Sequence, residues 1–294
     1  MTTQPAIADP FTVFAIGRDR AAAGVLTQRL GTALTDHRGL IDLPALTVLF
    51  DDIGGIPFYR LDPTNSSMQA RLTMSMVSRP AVSEELRAEA ALQMHDDAYG
   101  TTAVTITGQT SGPLCFGTAR NIRVGRPVTD DSAMELRPAP PAPDHVPAVA
   151  ALDPTLDGGE VIAQLVDGSL PAGPITELLG GVVVGTDDDG TVRAEFTTDP
   201  WMANMMGTMH GGVIAAMLAQ ACSFGAQRQV RPGGGYQLID FTCEFHRSPI
   251  VDGRRVRIDV TPVKLGRRLS LFDARIYDGD QLLGRATADA RFDL

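Results

Sequence analysis

Two stretches of the chain carry apolar residues at helical spacing. One covers about residues 44–53. The other, 211–227, sets Val213, Ile214, Met217, Leu218, Ala221 and Phe224 near one face, as a helix packed on a core requires. Each is followed by four runs in which β-branched and polar residues alternate. They are 69–79, 85–94, 101–107 and 114–124 after the first, and 236–246, 254–263, 268–277 and 281–292 after the second. Period-two alternation predicts strands with one buried face. A further strand pair, 175–185 and 191–198, is predicted ahead of the second helix.

The two series register on each other. Pro80 and Pro249 stand 169 positions apart, Gly117 and Gly284 stand 167 apart, and the helices align near 168. A nearly constant offset predicts an internal duplication. Between the copies, 127–154 holds Pro138, Pro140, Pro141, Pro143 and Pro147. Proline lacks an amide donor and fixes φ, so this stretch cannot enter a sheet interior and reads as a linker. The expected division is a domain at 1–126, a linker at 127–154 and a domain at 155–294.

A length of 294 residues accommodates two such domains, and 44% apolar with 20% charged residues fits a folded chain. The net charge of −10, from 35 acidic and 25 basic groups, argues against general nucleic-acid binding. Cys115, Cys222 and Cys243 form no CxxC pair, so neither a disulfide framework nor a cysteine metal site is expected, and a reducing cytoplasm fits. Met1 to Pro10 lacks a basic patch before an apolar run, so no secretory signal is expected. No stretch of 18 apolar residues predicts a membrane span.

The candidate chemistry lies in Asn204-Met-Met-Gly-Thr-Met-His210-Gly211-Gly212, directly before the second helix. A helix start offers free amides and the positive end of the dipole, and glycines let a ligand approach the backbone. Such a site stabilises a phosphate or an oxyanion; the same residues also suit an ordinary helix-start loop with a capping histidine. Met202, Met205, Met206 and Met209 crowd this loop, as acyl-channel lining or as core.

This pattern resembles the hotdog-fold acyl-CoA thioesterases of the phenylacetate-degradation type. Asn204, His210, Gly211 and Gly212 match that family's motif, Gly266-Arg267 matches its later turn, and Arg247-Ser248-Pro249 matches its Arg-Pro loosely. The resemblance covers 175–294 well and 25–125 less well. It implies an α+β fold of two fused hotdog domains, each an antiparallel sheet wrapped around a central helix, paired as an intrachain pseudo-dimer. Further assembly through sheet edges or faces is also implied. One departure is clear. The family places an acidic residue nine positions after the histidine, where this chain has Ala219.

Shifting Ala219 back by 168 gives Asp51, and shifting His210 back gives Asp42, which is followed by Leu43 and Pro44. The first copy keeps the acid and lacks His-Gly-Gly, and the second does the reverse. In the family each site joins the helix start of one domain to the carboxylate of its partner. One complete site is therefore expected, with Asp51, His210, Gly211, Gly212 and Asn204, and with Asp52 facing solvent. The expected reaction is hydrolysis of an acyl-CoA thioester without metal or cofactor; the alternative is a non-catalytic acyl-CoA or lipid binder. A hotdog hydratase is disfavoured because no Asp–His pair lies on one loop-helix. Ser67 or Gln69 is the candidate polar helper. Lys264, Arg267 and Arg268 are the candidate clasp for the CoA phosphates.

Overall fold

The computed structural model describes residues 8–19, 22, 24–125, 137–145 and 148–293. The expectation for the first ten residues, and part of that for the linker, fall largely outside them. The chain opens with α1 (Pro10–Val13), β1 (Ile16–Arg18) and β2 (Val25–Arg29). Two 3-10 turns, Thr32–Leu34 and Leu43–Leu46, lead into α2 (Thr47–Tyr59). Four long strands follow: β3 (Ser67–Met76), β4 (Glu85–His95), β5 (Tyr99–Gly108) and β6 (Gly112–Arg123). The second series runs α3 (Gly158–Asp167), α4 (Pro174–Leu178), β7 (Gly181–Thr186), β8 (Val192–Thr197) and α5 (Gly211–Gln227). It ends with β9 (Tyr236–Phe245), β10 (Arg255–Lys264), β11 (Leu269–Asp278) and β12 (Gln281–Phe292).

All twelve strands join one antiparallel sheet in the order β1-β2-β4-β5-β6-β3-β9-β12-β11-β10-β8-β7. Read from either edge, each strand meets its counterpart of the other series. At the seam Thr73 of β3 lies opposite Thr242 of β9, and these two residues are themselves 169 positions apart. Arg71 bonds Glu244 across the same seam, and Ser75 donates to Asp240.

The eight long strands follow the expected alternation. Ile175, expected in a strand, instead opens the short helix α4, because Gly173 with φ +92° and Pro174 set a helix start there. The short strands β1 and β2 and helix α3 carry no long periodic run and escape a pattern search. Helix α3 is marked instead by a capping box between Asp157 and Glu160.

Helices α2 and α5 lie side by side on the sheet, and both are buried on nearly every face. Gly54 and Gly55 weaken α2 intrinsically, by about 1 kcal/mol each. The sheet requires the first of them, since a Cβ on Gly54 would lie 2.7 Å from the Ala119 Cβ. Packing, not propensity, therefore holds this helix.

The proline-rich segment runs along the first series. Arg18 N donates to the Arg137 carbonyl at 2.7 Å and Ala33 N to the Pro143 carbonyl at 3.2 Å, while His145 N reaches Thr32 Oγ1 at 2.7 Å. Proline keeps its acceptor while lacking a donor, so this run covers an outer strand where carbonyls suffice.

Candidate active site

Helices α2 and α5 run antiparallel, and the N-terminus of α5 abuts the first turns of α2. The approach is too close for a side chain. A Cβ on Gly212 would lie 2.6 Å from the Val48 Cα, and one on Gly211 would lie 2.9 Å from Asp51 Oδ2. Thr47 Oγ1 donates to the Gly212 carbonyl at 2.9 Å and clamps the two chains together. Gly212→Ala is therefore expected to cost about 1–3 kcal/mol through overpacking of backbone on backbone. Urea denaturation of the variant measures it; a stability equal to the parent's would contradict this packing.

Asp51, from the first series, meets His210 and Gly212, from the second. Gly212 N donates to Asp51 Oδ2 at 2.6 Å, and His210 Nδ1 lies 3.2 Å from the same oxygen. Asp51 Oδ1 is buried and has no hydrogen-bond partner among the described residues. One carboxylate oxygen is thus anchored while the other is uncommitted.

His210 caps α5, its Nδ1 lying 3.0 Å from Gly212 N. Its Nε2 lies 3.1 Å from Asp52 Oδ1. Asp52 is therefore not the solvent-facing neighbour expected from sequence: its side chain is only 13% exposed. Consecutive helical positions diverge by about 100°, but an imidazole has a nitrogen at each end and bridges both carboxylates. The sequence signal was available in the Asp-Asp doublet, set within an otherwise apolar helix.

Burial pushes the Asp51 carboxyl up to about 7; the His210 ring opposes this rise and Asp52 adds to it. Burial alone would lower His210, but Asp52 and then Asp51 outweigh it and lift the ring to about 9. When the ring is charged, Nδ1–H donates to Asp51. When it is neutral with its proton on Nε2, Nδ1 accepts from the Gly212 amide. The carboxylate, the ring and the amide thus share one proton-dependent network.

Asn204 does not touch the two carboxylates. Its Oδ1 accepts from Met206 N at 2.9 Å and Thr208 N at 3.2 Å, which shapes the loop carrying His210. The Arg247–Pro249 segment supports that loop, with Met209 N donating to the Pro249 carbonyl at 2.9 Å. Met202 and Met209 are core residues, whereas Met205 and Met206 are half-buried. Of the two candidate helpers, Gln69 reaches the Asp51 carbonyl through Nε2 at 2.8 Å. Ser67 is half-buried at the start of β3, opposite Arg123.

The structure does not bring Lys264, Arg267 and Arg268 to this cluster. Their hairpin borders residues that follow the C-terminus of α5. The 17 residues of that helix separate the two places by about 25 Å. The sequence assigned this turn to the substrate's phosphates without showing which end of the helix it adjoins. Nearer at hand is Arg18. Burial and Arg60 lower its pKa, whereas the Asp52 carboxylate raises it, which sets Arg18 in the field of the cluster.

The second pairing of helix start and helix lacks these features. Asp42 caps the 3-10 turn through Leu43 N at 2.8 Å, and Arg38 and Arg79 each reach its Oδ2 at 3.0 Å. The counterpart of Gly212 is Pro44, which has no N–H. Among the described residues no group of three or more His, Cys, Asp or Glu has the arrangement of a metal site, and no helix is long and apolar enough to cross a membrane.

Residues 206–285 match the family model of the thioesterase superfamily. That segment contains His210, Gly211 and Gly212 but not Asp51. A search of curated protein sequences finds no match. Among solved structures, a conserved hot dog fold protein of unknown function from Alicyclobacillus acidocaldarius is similar at TM-score 0.63 and 11% identity, covering 98% of this chain and 99% of that one. A candidate thioesterase from Novosphingobium aromaticivorans is similar at TM-score 0.60 and 15% identity, covering 94% and 98%. The tesB protein of Mycobacterium avium subs paratuberculosis is similar at TM-score 0.56 and 13% identity, covering 94% and 95%. The chain has the hotdog fold, and within it residues 206–285 match the thioesterase superfamily.

Proposed function

We propose that the chain is two fused hotdog domains that together make one acyl-CoA thioester hydrolase site. The observation that carries this reading is the 2.6 Å contact of Asp51 Oδ2, from one copy, with the Gly212 amide at the helix start of the other. A thioester carbonyl oxygen entering at the Gly211–Gly212 helix start displaces the carboxylate from that amide. As the tetrahedral centre forms, its oxyanion receives the amide and the positive end of α5, and one such donor contributes about 3–4 kcal/mol in the transition state. The released Asp51 takes a proton from an attacking water, or adds directly to give an anhydride that water then cleaves. Collapse breaks the C–S bond and the thiolate leaves, taking up a proton. His210, held by Asp52, orients the carboxylate and keeps it ionised near neutral pH. Arg18 and Arg60 are the guanidinium groups we assign to the anionic end of the substrate.

The test is thiol release from a panel of acyl-CoAs by the parent chain. Saturable turnover supports the hydrolase. Tight binding without turnover above background overturns it in favour of a binder.

Protonation gives a sharper expectation. Asp51 must be ionised to act, so kcat/KM rises with pH through about 7. If the charged ring is also required, the rate falls again near 9. His210→Gln removes the cation that lowers the Asp51 pKa, so the acidic limb moves to higher pH and the alkaline limb disappears. A limb that stays in place would show that the ring does not act on Asp51.

A further inference from the structure

The loop 204–210 that carries His210 has a counterpart 168 positions earlier, at 36–42. The two form the same turn. Asn204 Oδ1 accepts from Met206 N at 2.9 Å and Thr208 N at 3.2 Å, and Asp36 Oδ1 accepts from Arg38 N at 2.8 Å and Leu40 N at 3.2 Å. Asn204 N donates to the Thr208 carbonyl at 2.7 Å, and Asp36 N to the Leu40 carbonyl at 2.9 Å. Gly207 has φ +75° and Gly39 has φ +74°, a left-handed conformation that glycine adopts without steric cost. Position 206 therefore stands to His210 as position 38 stands to Asp42.

Arg38 marks where a side chain on this turn leads. It folds back over the helix start: Nη2 reaches Asp42 Oδ2 at 3.0 Å, Nη1 reaches the Tyr236 carbonyl at 2.6 Å, and the guanidinium lies 3.7 Å from the centroid of the Tyr236 ring. That ring is buried, with its hydroxyl 2.6 Å from Ser223 Oγ. Arginine and tyrosine thus fill the space beside Asp42 with the chain's own side chains. Tyr236 opens β9, and Ser67, 169 positions earlier, opens β3. Both strands have ten residues, and each skips one residue in its pairing, Ile239 in β9 and Ala70 in β3, again 169 apart. Beside Asp51 and His210 the corresponding pair is therefore Met206 and Ser67, both half-buried. Methionine in place of arginine, and serine in place of tyrosine, remove a guanidinium and a ring and leave room where the first loop has none.

Strand order gives that room a direction. Arg18, assigned above to the anionic end of the substrate, stands on β1 at the outer edge of the sheet, whereas β3 lies at the seam beside β9. Ser67 lies two residues before Gln69, whose Nε2 holds the Asp51 carbonyl at 2.8 Å, so the two share one face of the strand. A thioester with its charged end towards β1 has its acyl end towards β3. Resting on the hydrolase reading of the Asp51–Gly212 site, we infer that Met206 and Ser67 flank an aliphatic acyl chain and determine how large a chain the site accepts. The flexible thioether of Met206 adapts to the chain, and the short Ser67 side chain leaves its path open.

Calorimetric titration of the full chain with S-methyl-CoA and S-octyl-CoA, thioethers that cannot be hydrolysed, tests this without any turnover. The parent is expected to bind the octyl compound at least tenfold more tightly than the methyl one, because the added methylenes leave water. Ser67→Tyr and Met206→Arg, made separately, introduce the residues found beside Asp42, and each is expected to bring that ratio close to one. Met206→Leu, apolar and of similar volume, is expected to keep it. Three results overturn the inference: a parent that binds neither compound or both equally, a parental ratio in Ser67→Tyr and Met206→Arg, or a ratio lost as fully in Met206→Leu, which would assign the effect to the fold of the loop. Thiol release from acyl-CoAs judges the hydrolase reading separately. Chain-dependent binding without turnover removes that reading and leaves the acyl path standing; turnover with an unchanged ratio in both variants does the reverse.

Discussion

Asp51→Asn is expected to lower thioester hydrolysis roughly a thousandfold, within the usual range for loss of a positioned base, while leaving the chain folded. The amide oxygen of asparagine still accepts from Gly212 N, so the contact between the helices persists. What disappears is the ionised oxygen that takes the proton or attacks the carbonyl. Stability supplies a second readout with a definite sign. The folded-state pKa of Asp51 is raised to about 7, against an ordinary value of about 3.9. The folded state therefore holds this proton more tightly than the unfolded one. The associated stability is complete below the ordinary value and is lost as pH rises through about 7. At pH 8 the parent carries a buried carboxylate that the variant lacks. His210 retains its stronger partner, Asp52, in both proteins. The variant should thus melt a few degrees higher than the parent at pH 8, with a smaller difference at pH 5.5, consistent with the stability–activity trade-off at catalytic groups. Hydrolysis at the parent rate would remove Asp51 from the mechanism, whatever the melting curves show.

How much of this was legible beforehand depended on the length over which a pattern extends. Eight strands of ten to twelve residues are long enough for a period of two to repeat several times, and they stand where the alternation put them. Strands β1 and β2 span three and five residues, too short for a period to register. The pairing of Asp51 with Gly212 was readable only because the two series of elements could be overlaid. Neither series alone contains both groups, and the matched segment 206–285 excludes the acid. The positions of Asp52 and the basic hairpin were not legible for a different reason. Each placement depended on three-dimensional facts absent from the register: the span of an imidazole in one case and the direction of α5 in the other. Gln69 was one of two candidates, and only the geometry at the start of β3 separates it from Ser67.

Ala219→Asp, which restores the family's acid at its usual position, is expected to destabilise the chain by about 3–5 kcal/mol, the scale of an uncompensated buried charge, and to add no activity. Ala219 is fully buried. A carboxylate there faces the counterpart of the Gly212 start, where Pro44 has no amide to donate. Its nearest equivalent of His210 is Asp42, a second carboxylate. The guanidiniums in that region are committed already: Arg38 to Asp36 and Asp42, and Arg79 to Asp42 and the Tyr236 carbonyl. Gln220, the neighbouring residue, is also fully buried, and one helical position turns its side chain about 100° from that of residue 219, so its amide is not aimed at a carboxylate there. In the complete cluster, by contrast, an amide at 2.6 Å and a charged ring offset the desolvation of Asp51. The difference between the two ends is therefore not the presence of an acid but the presence of donors that make a buried acid tolerable and useful. Chemical denaturation measures the cost, and thiol release measures the activity. A doubled rate at parental stability would mean that the turn at Asp42–Pro44 can serve as a second helix start, contrary to the register that pairs Asp51 with Gly212.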